Sequence, residues 1–153
     1  MKASDAVAKL TEAGFSAESS AVHETGVHVL VTLSAEQVRP FAEWLKGAGF
    51  FIDFVTAVDV SPALQVIYQF AHYDAPCRIN GRTPLPASGT LETISDIFQG
   101  ADWHERETRD FFGVVFSGHP NLTPLILCDE DKDLKPLLKT EAKRKAADSL
   151  GWG

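Results

Sequence analysis

The run Phe50-Phe51-Ile52-Asp53-Phe54-Val55-Thr56-Ala57-Val58-Asp59-Val60, followed by Ser61-Pro62 and then by Leu64-Gln65-Val66-Ile67-Tyr68-Gln69-Phe70, decides the fold. Both flanks are rich in aromatic and β-branched residues, which suit a pleated, half-buried surface. The Ser-Pro connection is too short for a crossover helix, so the flanks must pair as an antiparallel hairpin. A period of two predicts one face made by Ile52, Phe54, Val58 and Val60, and another by Leu64, Val66, Tyr68 and Phe70. Upstream, Val27, Val29, Val31 and Leu33 alternate with His28 and Thr32, which predicts a further strand. The polar stretch 16–26 reads as a connection with room for a weak edge strand. Downstream, residues 78–85 read as a half-polar strand closed by Pro84 and Pro86, which fits a sheet edge.

Helices fill the intervals. Residues 5–14 carry Ser4 as a candidate N-cap, Val7 and Leu10 on one face, and Gly14 as the stop. Ser34-Ala35-Glu36-Gln37 is an S-x-x-Q capping box, and Val38, Phe41, Ala42 and Leu45 follow at helical spacing. Residues 90–98 place Leu91, Ile94, Ile97 and Phe98 on one side of a short predicted helix. Asp102-Trp103-His104-Glu105 reads as a second capping box, opening a helix that runs to Phe112, with Gly113 behind it. The expected architecture is α+β: one domain at 1–118, with a largely antiparallel mixed sheet and helices on one face. Its core draws on Val29, Val31, Phe41, Leu45, Phe54, Val58, Val66, Tyr68, Ile94, Phe98, Trp103 and Phe111. Residues 119–153 form an extended C-terminal arm, punctuated by Pro120, Pro124 and Pro136. The arm carries Leu122, Leu125, Ile126, Leu127, Leu134, Leu137 and Leu138, apolar residues suited to docking on another protein.

Composition removes several function classes. A net charge of -7 argues against nucleic acid, whose phosphates need clustered Lys and Arg. The basic group Lys139, Lys143, Arg144 and Lys145 is mixed with Glu141 and reads as a solvated face. No apolar run reaches the ~18–20 residues that cross a bilayer, and the first residues lack a signal peptide's apolar stretch, so a cytoplasmic location is expected. Cys77 and Cys128 stand far apart, whereas an iron–sulfur cluster takes about four thiolates. His23, His28, His72, His104 and His119 show no metal-ligand spacing, and Gly47-Ala48-Gly49 lacks the spacing of a dinucleotide loop. The chain is therefore expected to hold no metal, flavin or nicotinamide.

The densest polar signal is Trp103-His104-Glu105-Arg106-Glu107-Thr108-Arg109-Asp110-Phe111-Phe112-Gly113. Helical spacing lets Glu105 meet Arg109, and Arg106 meet Asp102 and Asp110, as an ion-pair ladder. Glu107 lies one turn from both Trp103 and Phe111 and must find a partner on another element or another chain.

This run, continued through Phe116, Gly118, His119, Pro120, Asn121 and Leu122, resembles the signature of the 30 kDa subunit family of respiratory complex I. Phe54-Val55-Thr56-Ala57-Val58-Asp59 is similar to the family's T-A-V-D strand, and Tyr68, Pro84-Leu85-Pro86 and Ile94-Ser95-Asp96-Ile97-Phe98 follow in the family's order. The resemblance covers residues 50–140. The chain departs from the pattern at Thr123-Pro124, where the family has two arginines, and at Leu138-Lys139-Thr140, where it has R-K-D. The resemblance implies a cofactor-free structural subunit of the peripheral arm of an NADH:quinone oxidoreductase. It would dock on the large, 49 kDa-type subunit beside iron–sulfur subunits and meet the membrane only through the complex. Related subunits of membrane-bound [NiFe] hydrogenases share the pattern and stand as an alternative. Trp103, Glu105, Arg106, Glu107, Asp110, Gly113, Phe116, Gly118, His119, Pro120 and Leu122 are then the motif and interface residues. A reading from another class makes the chain a small stand-alone enzyme with Glu107 and His119 as an acid–base pair, which requires both to line one water-filled pocket. Without catalysis, His119 fixes its loop by hydrogen bonds.

Overall fold

The computed structural model describes residues 3–139 and the backbone of 145–146. The elements in chain order are α1 (Ala3–Glu12), β1 (Ser16–Ser19), α2 (Val22–Thr25), β2 (Val29–Thr32), α3 (Val38–Gly47), β3 (Phe50–Val58), β4 (Val60–Ser61), β5 (Gln65–His72), β6 (Arg78–Pro84), β7 (Thr90–Glu92), α4 (Ala101–Phe112), β8 (Val115–Ser117) and β9 (Lys145–Ala146). Five strands make one mixed sheet in the order β1-β2-β6-β5-β3. Only β2 and β6 run parallel, and the other three pairings are antiparallel. The fold is α+β, as expected, with the helices on one face.

The core lies between that face and the helices. Val29, Val31, Phe41, Leu45, Val66, Tyr68, Ile94 and Phe98 are all buried there. Phe41 sits edge-on to both Phe15 and Phe70, with ring centroids 5.4 and 5.7 Å away. The Ser34–Gln37 capping box forms as read and starts the single 3-10 turn Ala35–Gln37 ahead of α3. The polar basic group at 139–145 falls mostly outside the described residues.

Three expectations are corrected. The 50–60 run does not keep one face: β3 slips register between Ile52 and Phe54, leaving Asp53 as a bulge. A one-residue slip swaps the two faces of a strand. Phe50, Val55 and Ala57 therefore point into the core, while Phe54 and Val58 turn to the opposite, half-open face. Strand 78–84 is not at the edge but lies between β2 and β5. Its polar residues fit because Asn80 and Arg82 face the open side, where the Asn80 amide donates to Gln69 Oε1 at 3.0 Å. Its Gly81 fits the centre because a Cβ there would stand 2.6 Å from the Phe41 ring.

The predicted helix at 90–98 begins as a strand. β7 pairs in parallel with β8, and the backbone tightens into helical turns only from Ile94, whose carbonyl accepts from Ile97 and Phe98 N–H. Gly89, at φ +71°, and β-branched Thr90 favour the extended start, and the β8 partner settles it. Leu91, Ile94 and Phe98 are buried all the same.

Candidate functional site: a helix that staples three segments

α4 begins at Ala101, with Gly100 as its N-cap, and ends at Gly113 in the left-handed conformation, φ 79°. Ala101, Glu105, Thr108 and Phe112 recur at helical spacing and are buried against the sheet. Thr108 Oγ1 donates to the Val55 carbonyl of β3 at 3.3 Å. The buried face therefore contains a carboxylate. Asp102–Glu105 is not a capping box, because Glu105 points inward, away from the helix N-terminus.

Glu105 is fully enclosed, with 0% exposure. Its Oε1 accepts from Ile94 N–H at 2.8 Å, and its Oε2 accepts a short hydrogen bond from the Thr93 hydroxyl. Thr93 Oγ1 also lies 2.8 Å from Ser95 Oγ. Burial pushes the Glu105 carboxyl up to about 7, against the pull of these two donors. The Tyr68 hydroxyl is buried and has no hydrogen-bond partner among the described residues. Burial, and then the charge of Glu105, push that phenol well above its ordinary range.

His119 closes the same cluster. Its Nε2 lies 3.8 Å from Glu105 Oε2, and both side chains have 0% exposure. Asn121 N–H donates to Nδ1 at 3.0 Å, so the ring proton sits on Nε2, which donates to the Asp102 carbonyl at 3.2 Å. His119 thus fixes the loop that follows β8.

The outer side of α4 holds the arm. Arg106 Nε donates to the Thr123 carbonyl at 3.1 Å, and its Nη2 donates to the Pro124 carbonyl at 2.9 Å. Asp110 Oδ2 accepts from Leu125, Ile126 and Leu127 N–H at 2.8, 2.9 and 3.2 Å. Burial alone would push the Asp110 carboxyl up, but these three donors and Arg109, 3.2 Å from Oδ1, hold it below the usual range. Farther on, Leu137 N–H donates to the Phe111 carbonyl at 3.2 Å and Lys139 N–H to Asp59 Oδ2 at 2.6 Å. β9 pairs in parallel with β4.

The expected ladder does not form, because its members are spent elsewhere: Glu105 on the 93–94 turn, and Arg106 and Asp110 on residues 123–127. Of these residues only Arg109 and Asp110 pair, as sequence neighbours. Phe116 is buried at 2%, and Leu122 packs on the core from a half-buried position, while Gly118 and Pro120 are exposed. Trp103, expected inside, is 67% exposed, since the inward positions of α4 go to Ala101 and Glu105. Phe111 is half-buried. Glu107 is half-buried and makes no hydrogen bond or ion pair among the described residues. The carboxylate beside His119 is thus Glu105 and not Glu107, and no solvent reaches either side chain. The spacing 101-105-108-112 was the signal that could have revealed the inward Glu105.

The family model for the respiratory-chain NADH dehydrogenase 30 kDa subunit matches residues 31–146. The C subunit of the F(420)H(2) dehydrogenase of Methanosarcina mazei is 31% identical over 79% of this chain and 80% of its own. The C subunit of the NADH-quinone oxidoreductase of Geobacter metallireducens is 33% identical over 82% of this chain and 81% of its own. Among solved structures, a trypsin-resistant fragment of Nqo5 superposes with a TM-score of 0.67 at 25% identity, covering 80% of this chain and 100% of the fragment. A chain of the membrane-bound sulfane sulfur reductase, an archaeal respiratory membrane complex, shares the fold with a TM-score of 0.78 at 24% identity, over 93% of this chain and 88% of that one. No helix among the described residues is long and apolar enough to cross a membrane. The chain belongs to the respiratory-chain NADH dehydrogenase 30 kDa subunit family.

Proposed function

We propose that this chain is a structural subunit of the peripheral arm of an NADH:quinone oxidoreductase, docking on the large subunit of the complex and held through it at the cytoplasmic face of the membrane. The observation that carries this reading is how the motif is spent. Glu105, Arg106, Asp110 and His119 are all used to tie segments of the chain to α4, and the side chains of Glu105, Asp110 and His119 are shut off from solvent. That is the chemistry of a scaffold. An acid–base enzyme needs its pair within reach of substrate, and here the enclosed His119 side chain and the outward Glu107 share no open space.

The arm, residues 119–153, is the docking element in this reading. Its first part is clamped by Arg106 and Asp110, yet Ile126, Leu134, Leu137 and Leu138 remain 43–65% exposed. Apolar side chains held outward by a rigid base are what a partner surface covers. The interface draws on Trp103, Glu107, Pro120 and the arm's leucines, while Glu105, Arg106, Asp110, Gly113, Phe116, Gly118, His119 and Leu122 shape it from behind. No metal, flavin or iron–sulfur group is assigned to this chain, in keeping with its thiol and histidine spacing.

The test is purification of the tagged chain from native membranes, with mass spectrometry of its companions. The expected result is stoichiometric recovery of the large subunit and iron–sulfur subunits of one oxidoreductase complex. Recovery of the chain alone, free of the membrane fraction, would overturn the reading.

A further inference from the structure

We infer that Trp103 and Glu107 together form a receptor for an arginine side chain of the partner subunit. This rests on the docking reading above and names the chemistry of one contact within it. The two residues stand four apart on α4, so their side chains are neighbours on one outward strip of the helix. Trp103 leaves 67% of its surface in solvent, although it is the largest side chain on the helix. Glu107, one turn on, has no partner among the described residues, although it is only half exposed.

Arg106 and Arg109 of the same helix, and Lys135 beside its C-terminal end, are engaged elsewhere. Arg106 is committed to the Thr123 and Pro124 carbonyls, and Arg109 to Asp110. Lys135 lies along Gly113, with its ammonium on the Lys132 carbonyl. Glu105 and Asp110, the other carboxylates of the motif, are satisfied within the chain, and among the described residues Glu107 is left to be completed from outside. The net charge of -7 adds a general attraction for a basic surface.

Arginine fits this pair better than lysine. A guanidinium can lie flat on the indole face while its edge donates two parallel hydrogen bonds to the carboxylate. A lysine ammonium offers a point charge with no plane to stack. Trp and Arg are also the residues that most often carry interface affinity.

The test measures binding of the full chain to the purified large subunit by calorimetry at two salt concentrations. Because neither side chain makes a hydrogen bond or ion pair among the described residues, the W103A, E107Q and E107K variants should melt with the wild type, which is the folding control. W103A should weaken binding by about thirtyfold or more and E107Q by about tenfold, in the range of central aromatic anchors and truncated charge pairs. E107K should bind more weakly still, and E107Q should show a shallower salt dependence than wild type. Normal binding by both W103A and E107Q would overturn the inference while leaving the docking reading intact. Loss in W103A with E107K equal to wild type would mean a purely apolar contact, and would also overturn it. If the wild-type chain does not bind the large subunit at all, both fail together.

Discussion

Glu105→Gln should make the free chain more stable than wild type at pH 8 and remove the part of its pH dependence that Glu105 contributes between about pH 4.5 and 7. The folded carboxyl holds its proton to about pH 7, whereas in the unfolded chain it ionises near its ordinary value of 4.5. Below about 4.5 both states are protonated, and the neutral carboxyl stabilises the fold fully. Between the two values the native state binds the extra proton, so stability falls as pH rises; above about 7 the loss is complete. The gap of about 2.5 pH values corresponds to about 3 kcal/mol. Glutamine keeps the geometry: its oxygen can accept from Ile94 N–H, and its amide can donate to Thr93 Oγ1, which then donates to Ser95. It has no charge to bury. Urea unfolding of wild type and E105Q at pH 5, 6, 7 and 8 reads the effect. The difference between the two curves removes the histidines and the other carboxylates common to both. It should widen in favour of the variant by about 2.5 kcal/mol from pH 5 to pH 8, since part of the loss has already occurred at pH 5. Parallel curves would show that Glu105 ionises in its enclosed site without cost, and would refute the account of the cluster.

Asp110→Asn removes the charge that gathers three backbone N–H groups, and should cost about 2–3 kcal/mol at pH 7; hydrogen exchange at Leu125, Ile126 and Leu127 should quicken first. Because the folded Asp110 carboxyl is depressed, its contribution is present above about pH 4 and fades as pH falls below that, so wild type and D110N should converge in acid. Gly81→Ala drives a methyl into the Phe41 ring and Leu33, and a cost of about 1–3 kcal/mol in the unfolding midpoint is expected. In the free wild-type chain, amides 125–127 should exchange slowly and those of Asp129, Glu130, Lys132 and Asp133 quickly, the latter slowing when the large subunit is added. Fast exchange throughout 123–127 would contradict the Arg106–Asp110 clamp.

Local chemistry was legible wherever one short motif decides the outcome. The Ser34–Gln37 capping box, the stop at Gly113 and the hairpin across Ser61-Pro62 needed only neighbouring residues. What stayed hidden depends on partners far along the chain. The Asp53 bulge swapped Phe54 and Val58 to the other face, although a lone charged residue inside an apolar run was a visible hint. The 90–92 segment extends because residues 115–117 arrive beside it. Arg106 and Asp110 were expected to face each other, since i,i+4 spacing offers that contact. Unpaired backbone groups of 123–127 won instead, because the buried Asp110 carboxylate gains three amide donors and the Arg106 guanidinium two carbonyl acceptors, more than an exposed ion pair offers. The motif residues were found, and their inward roles were not.

The arm leaves α4 and returns to it. Residues 123–127 are held at Arg106 and Asp110, and Leu137 and Lys139 come back to Phe111 and Asp59. Between the two anchors residues 128–136 loop out, with Asp131 and Leu134 N–H closing turns on the Cys128 and Asp131 carbonyls, so a partner docking here would meet a strap already fastened at both ends. Ordering a flexible residue costs about 1–2 kcal/mol, and between residues 123 and 139 the two anchors already lower that penalty. Association should accordingly be fast, as for a surface formed in advance. Cutting the chain back before Leu137 would unfasten one end, and affinity should drop even for a partner that touches nothing beyond Leu134.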